Sequence, residues 1–379
     1  MARSFFTKAF WTFSGLGALW AVAIGLFLHP DLQPYWENLN NTELWGFLPG
    51  QVRQFLYTTD HGSKLYAWHV LPLGVYRENE KALLAASADL AQGSEDIILE
   101  ILKNDPNARL VIKFHGNAGH VAQGWRPDTY RTLTGAAPDS IHVVGFDYRG
   151  FGYSTGSPTE EGLIQDGIQM LYWALKVANI PPQRIVLFGQ SLGTAVATAV
   201  TEHFTLKQNI QFAGLVLVAP FVSIPELLPE YTIAGCIPTL SPLKMHPLIL
   251  KWVLSRVVDT WTTSDRLANL VQKSNTFNIA LIHARNDAEI PWTQSQCLFK
   301  ASTNTTIGTK MREEIAGGGW VETWTEGAKR IKLIISPSGG MLVLLDLRVS
   351  DNLAGHNQIM TYPVAAKAVL DCFDGVKQT

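Results

Sequence analysis

Cysteine is scarce: three in 379 residues, Cys236, Cys297 and Cys372, far apart in the chain. They show no metal-ligand spacing and no disulfide framework. Basic residues are not in excess either. Thirty Lys and Arg face 32 Asp and Glu, a formal net charge of −2. Without a basic block the chain lacks the electrostatic footprint of a nucleic-acid partner. Histidine is sparse where it would count most, because His356 is the only one C-terminal to Asp287. What remains is a chain 47% hydrophobic, long enough for one large α/β domain with additions or for two smaller domains.

One long uncharged stretch is present, residues 9–28, AFWTFSGLGALWAVAIGLFL. At a rise of about 1.5 Å per residue it would cross a hydrocarbon core of roughly 30 Å as a helix. No A-x-A-like cleavage site follows it, so it reads as an uncleaved signal anchor rather than a removed signal peptide. Arg3 and Lys8 precede it, whereas Asp31, Glu37 and Glu43 follow. The positive-inside rule then puts residues 1–8 in the cytosol and the remainder in a lumen, such as that of the endoplasmic reticulum, or outside the cell. Asn40-Asn41-Thr42 and Asn304-Thr305-Thr306 are glycosylation sequons which that orientation would make usable. Residues 29–50, with three prolines, read as a connector near the membrane, Trp45 among its interfacial aromatics.

The rest of the chain, 51–375, is organised around residues 184–200, RIVLFGQSLGTAVATAV. An apolar run ending at Phe188 reads as a buried strand, and the small-residue run after Gly193 as a closely packed helix. Between them lies Gly189-Gln190-Ser191-Leu192-Gly193, a G-x-S-x-G nucleophile elbow in its strand–turn–helix setting. Short apolar strands recur at 109–115, 141–147, 214–219, 278–284 and 331–336. Alternating with helices, they predict an α/β architecture: a mostly parallel sheet covered on both faces. Residues 51–58 and 64–71 predict a hairpin, 78–104 a surface helix, and 222–275 an apolar helical cap over the site.

A serine hydroxyl needs a base, and the base needs an orienting carboxylate. In this architecture the chain order is Ser, acid, His. Asp287 lies just past the 278–284 strand, at the strand end where ligand sites gather. Glu289 is the competing acid, two residues further into the loop. His356, in Gly355-His356-Asn357, follows in the required order and precedes a final helix at 363–373. For the oxyanion, one donor is the N–H of Leu192. The other comes from Asn117 or Ala118 in the loop His115-Gly116-Asn117-Ala118-Gly119-His120. No metal or organic cofactor is expected, and no obligate protein partner is evident.

These motifs, with Gly145-Phe146-Asp147-Tyr148-Arg149-Gly150-Phe151-Gly152-Tyr153-Ser154 and the segment from His283 to Pro291, resemble the α/β-hydrolase-fold serine hydrolases. Within them the chain is similar to the membrane-anchored branch of lysophosphatidylserine and monoacylglycerol lipases. The resemblance covers about residues 51–375 and includes the anchor. It implies hydrolysis of a lysophospholipid or monoacylglycerol ester by a luminal domain. The alternatives are a palmitoyl-protein thioesterase or peptidase of the same fold, and an inactive membrane scaffold. One departure stands out. Ser338-Gly339-Gly340 is followed by residues 341–354 before Gly355-His356-Asn357. Removing 341–354 would restore the Gly-Gly-His-Asn junction of such proteins, so the stretch reads as an insertion, as from a retained intron.

Overall fold

The computed structural model describes residues 38–86, 97–233, 235–304, 307–338 and 355–375. The anchor expected at 9–28 and the insertion expected at 341–354 lie outside these residues. Among the described residues no helix is long and apolar enough to cross a membrane.

The chain opens with the hairpin β1 (Val52–Thr58) and β2 (Lys64–Val70), then helices α1 (Leu73–Ala85) and α2 (Ile97–Asn104). Strand and helix then alternate. β3 (Arg109–Phe114), α3 (Arg126–Gly135), β4 (Ile141–Phe146), α4 (Glu160–Tyr172), β5 (Ile185–Gln190), α5 (Leu192–Glu202) and β6 (Gly214–Val218) follow in turn. A long excursion holds α6 (Ile224–Leu227), the small hairpin β7 (Thr232–Ile233) and β8 (Ile237–Pro238), α7 (Pro247–Leu254) and α8 (Thr263–Lys273). The chain returns through β9 (Phe277–Ala284) and α9 (Thr293–Thr303), then β10 (Thr309–Ile315), β11 (Gly319–Glu326) and β12 (Lys329–Ser336). It closes with α10 (Gly355–Gln358) and α11 (Pro363–Gly375).

Ten strands form one sheet in the order β1-β2-β4-β3-β5-β6-β9-β12-β11-β10. The six from β4 to β12 run parallel, and the two strands at either end are antiparallel. Buried on both faces, the central strands read as continuous apolar runs, and β5 and β6 have no exposed residue. Neighbouring residues of a strand point to opposite faces. On β3, Lys113 lies against the Tyr130 ring of α3, while Phe114 meets Gly167 of α4. Helix α3 therefore covers one face, joined by α11, and α4, α5, α8 and α9 pack side by side on the other.

Three features differ from the sequence expectation. The single helix expected at 78–104 is two described helices, and α2 buries Ile98, Leu99 and Leu102. The last part of the apolar excursion, α8, packs into the core through Leu267, Leu270 and Val271. Trp45, expected as an interfacial aromatic, packs edge-on against Trp68 and His120.

Candidate active site

The elbow is built by steric exclusion. Ser191 sits between β5 and α5 at φ 52°, ψ −122°, a backbone region that costs of order 1–3 kcal/mol for a residue with a Cβ. The surroundings hold it there. Its N–H donates to the Val218 carbonyl at 2.9 Å, and its own carbonyl accepts from the Thr194 N–H at 2.9 Å and Oγ1 at 2.6 Å. A Cβ at Gly189 would lie 2.5 Å from the Gly193 carbonyl oxygen. A Cβ at Gly193 would collide with the Phe114 and His115 carbonyls. Both glycines are there because nothing larger fits. Leu192 is the first residue of α5, where the helix offers its N–H no partner.

The loop after β3 lies against this turn. A Cβ on Gly116 would come within 3.2 Å of Ser191 Cβ and 2.5 Å of Gln190 Oε1. The loop is shaped by Ala118 and Gly119, both at positive φ (62° and 75°). It is held by the buried guanidinium of Arg126. That group donates to the carbonyls of Gly116 (3.1 Å), Ala118 (2.8 Å) and His120 (2.5 Å). In a trans peptide the C=O and the following N–H point in opposite directions. The Asn117 N–H is therefore turned away from Arg126. Asn117 is exposed and Ala118 half-buried. Beneath the loop, His115 is buried 3.6 Å from Asp147; burial, chiefly, holds the pKa of this imidazole well below the usual range.

Asp287 sits in the turn after β9. Its Oδ1 accepts the N–H groups of Glu289 and Ile290, both at 2.9 Å. Its Oδ2 accepts from His283 Nε2 at 3.0 Å and from His356 Nδ1 at 2.8 Å. Burial opposes the carboxylate, but the charge of His356 and the hydrogen bonds from both histidines outweigh it and hold the pKa below the usual range. The tautomers follow from the partners. His283 Nε2 faces two acceptors, Asp287 and the Ile290 carbonyl at 2.9 Å, so it carries the proton. Its Nδ1 then accepts from Ser295 Oγ at 2.7 Å. His356 donates from Nδ1, which leaves Nε2 as the basic nitrogen.

That Nε2 edge faces the elbow. Gln190 Nε2, in the residue before Ser191, is 3.4 Å from it and also donates to Asn357 Oδ1 at 3.2 Å. On the same edge Glu289 Oε2 stands 3.9 Å away and accepts from Tyr231 Oη at 3.4 Å. Burial works against a charged His356, but Asp287, by charge and hydrogen bond, and then Glu289 raise its pKa to about 9. Asp287 and Glu289 thus flank one imidazole at opposite nitrogens. Of these two carboxylates, only Asp287 is hydrogen-bonded to it.

The structure brings Asp287 and His356 into contact, and Gln190 ties the histidine to the turn bearing Ser191. Leu192, Asn117 and Ala118 lie on the two segments that flank that serine. Sequence reasoning missed His283, Gln190 and Arg126. For His283 the usable signal was its place four residues before Asp287, at the end of β9.

Sheet order and strained serine together define the α/β-hydrolase-fold serine hydrolases. The model of the family described as serine aminopeptidase, S33, matches residues 105–310, more than half of the chain, and the chain belongs to that family. Among curated proteins it is similar to lysophosphatidylserine lipase ABHD12 of Danio rerio, 26% identical over 281 residues, covering 72% of this chain and 64% of that protein. It is also similar to human protein ABHD12B, 32% identical over 191 residues, 50% of this chain and 47% of the relative. The chain thus spans less than two thirds of either. Among solved structures, an α/β hydrolase from Vibrio vulnificus shares the fold, with a TM-score of 0.58 at 14% identity over 92% of this chain and 90% of that one.

Proposed function

We propose that this chain is a membrane-held serine hydrolase that cleaves a carboxylic ester of a lipid, a lysophospholipid or monoacylglycerol, through an acyl-enzyme. The observation that carries the reading is the Asp287–His356 hydrogen bond of 2.8 Å with the other imidazole nitrogen turned to the elbow. His356 Nε2 takes the Ser191 hydroxyl proton as Oγ attacks the ester carbonyl. Asp287 fixes the tautomer and stabilises the imidazolium. The N–H groups of Leu192 and Asn117 receive the oxyanion; Asn117 is favoured over Ala118 because the Gly116 carbonyl is turned onto Arg126. The imidazolium then protonates the leaving alcohol. Water, activated by the same nitrogen, resolves the acyl-enzyme and frees the fatty acid.

The lipid substrate is supported by the similarity to the lysophosphatidylserine lipase of Danio rerio. The uncharged stretch at 9–28 supports a single-pass anchor, with the hydrolase domain in the lumen of the endoplasmic reticulum or outside the cell. Residues 224–261 then act as the cap.

Membranes expressing the chain should react with a fluorophosphonate probe, and Ser191→Ala should abolish both labelling and ester turnover. Lysophosphatidylserine and monoacylglycerol should compete for labelling better than an acyl thioester or an aminoacyl amide. Stronger competition by the thioester or the amide would replace the lipid reading with a thioesterase or a peptidase. An unlabelled but folded parent chain would leave a scaffold.

A further inference from the structure

Between α6 and α8 the chain makes an arm that is fastened at both ends and bare in the middle. One end is bound near the candidate site, where Thr232 donates its N–H to the Glu289 carbonyl at 3.3 Å and its hydroxyl to the Ala288 carbonyl. The other end returns at the buried Trp261, whose N–H donates to Glu160 at 2.8 Å. Residues 241–260 between them include no buried residue. Helix α7 is apolar nearly all round, and it hides no face fully. Leu250, Val253 and Leu254 are half-buried. The opposite stripe is open to solvent: Leu248 is 83% exposed, Ile249 51% and Trp252 60%. Met245, 85% exposed, stands just before the helix, beyond the non-helical His246 (φ −125°, ψ 71°). Val258, 90% exposed, lies just beyond.

The charges around this stripe have one dominant sign. Lys244, Lys251 and Arg256 are exposed, against a single acid, Asp259, in a chain whose net charge is −2. The Arg256 guanidinium lies 5.2 Å from the Trp252 ring centroid. Large apolar groups on one helical face with cations at its margins fit a helix lying in a lipid interface, the side chains in the acyl boundary and the cations at anionic head groups. A second copy fits less well, since a two-fold contact through this face would set the same cations against each other.

We infer that the outer face of α7, with Met245 and Val258, docks on a lipid surface carrying anionic head groups. The inference deepens the lipid-ester reading and rests on it. The arm's fastened end grips the Glu289 turn, so docking there sets the candidate site at the surface where its substrate lies. This contact is independent of any anchor at residues 9–28.

The full chain, with Cys236→Ser and Cys297→Ser, would carry an environment-sensitive fluorophore at Leu248→Cys or at Trp252→Cys. It would be reconstituted in vesicles of phosphatidylcholine with phosphatidylserine. Both probes should shift to the blue and be quenched by nitroxides on the acyl chains, whereas a probe at Glu313→Cys should not. The pair Leu248→Asp and Trp252→Asp should raise KM for a vesicle-borne ester by ~10-fold or more and leave a water-soluble short-chain ester unaffected. Absence of quenching at 248 and 252 would overturn the docking. So would energy transfer between copies in place of quenching, which would assign the face to self-association. Loss of soluble-ester turnover in the parent chain would instead sink the hydrolase reading, and the depth of the probes would still be measured.

Discussion

His283 donates to the same carboxylate oxygen as His356 and is itself fixed by Ser295. It leaves Asp287 one place to sit. His283→Phe keeps the bulk of the ring but removes that donor. Turnover should fall roughly 10- to 100-fold, because a misplacement of about 1 Å already costs ~10²-fold; KM for a soluble ester should change little. Steady-state kinetics with such an ester checks this. Glu289 acts on the other nitrogen. A base works in its neutral form, and His356 has its pKa raised to about 9. The acid limb of kcat/KM should therefore climb through neutral pH toward about pH 9. Glu289→Gln removes a negative charge 3.9 Å from Nε2. Imidazolium is then less favoured, its pKa drops, and the limb should move to lower pH. A pH profile of kcat/KM in the two proteins reads the shift directly. At this scale the elbow, Asp287 and His356 were legible as residues to examine, because motif and chain order mark them. Arg126 was not. Its bonds to three carbonyls join residues 6 to 10 apart with no periodic pattern.

Among elements, the parallel strands announced themselves as short apolar runs, but β10 and β11 did not. Every residue of β10 is exposed, so it has no buried face to create an alternation. Its register comes from its partner instead: Trp320 and Trp324 of β11 face inward, with Arg312 stacked 4.4 Å over the Trp320 ring. Lys310, Arg312, Glu313 and Glu314 guard the sheet edge that β10 would otherwise offer to another chain. The helix α8 was read with the cap because its apolar positions look alike whether they face a lid or a sheet. The two flanks of 341–354 carry a clearer message. Ser336 pairs with Ala284 and accepts the Arg285 N–H at 2.9 Å. Gly355 backs onto Asn286, where a Cβ would lie 2.6 Å from the carbonyl oxygen. The chain therefore leaves and returns at the same turn, 284–286. Deleting 341–354 should preserve folding and fluorophosphonate labelling, since a shorter closure costs less entropy. A deletion variant that melts as the parent does but no longer labels would mean that those residues serve the site.

For the molecule as a whole, alternation of strands and helices was enough to read a parallel sheet with two covered faces. Strand order was not readable, since paired residues as far apart as Ala67 and Phe146 leave no local trace. The antiparallel ends of the sheet bear on how the protein comes into being. β1–β2 and β10–β11–β12 join strands adjacent in sequence, and such local pairings close early. The six parallel strands need crossovers, and the pairing of β2 with β4 and of β6 with β9 spans distant parts of the chain. Ser191, Asp287 and His356 hang on that slow centre, and His356 arrives only with the C-terminal segment. A refolding chain should therefore regain its β-sheet signal in circular dichroism before it regains reactivity toward the probe. During synthesis the site would stay incomplete until the segment carrying His356 was in place, a delay set by topology alone.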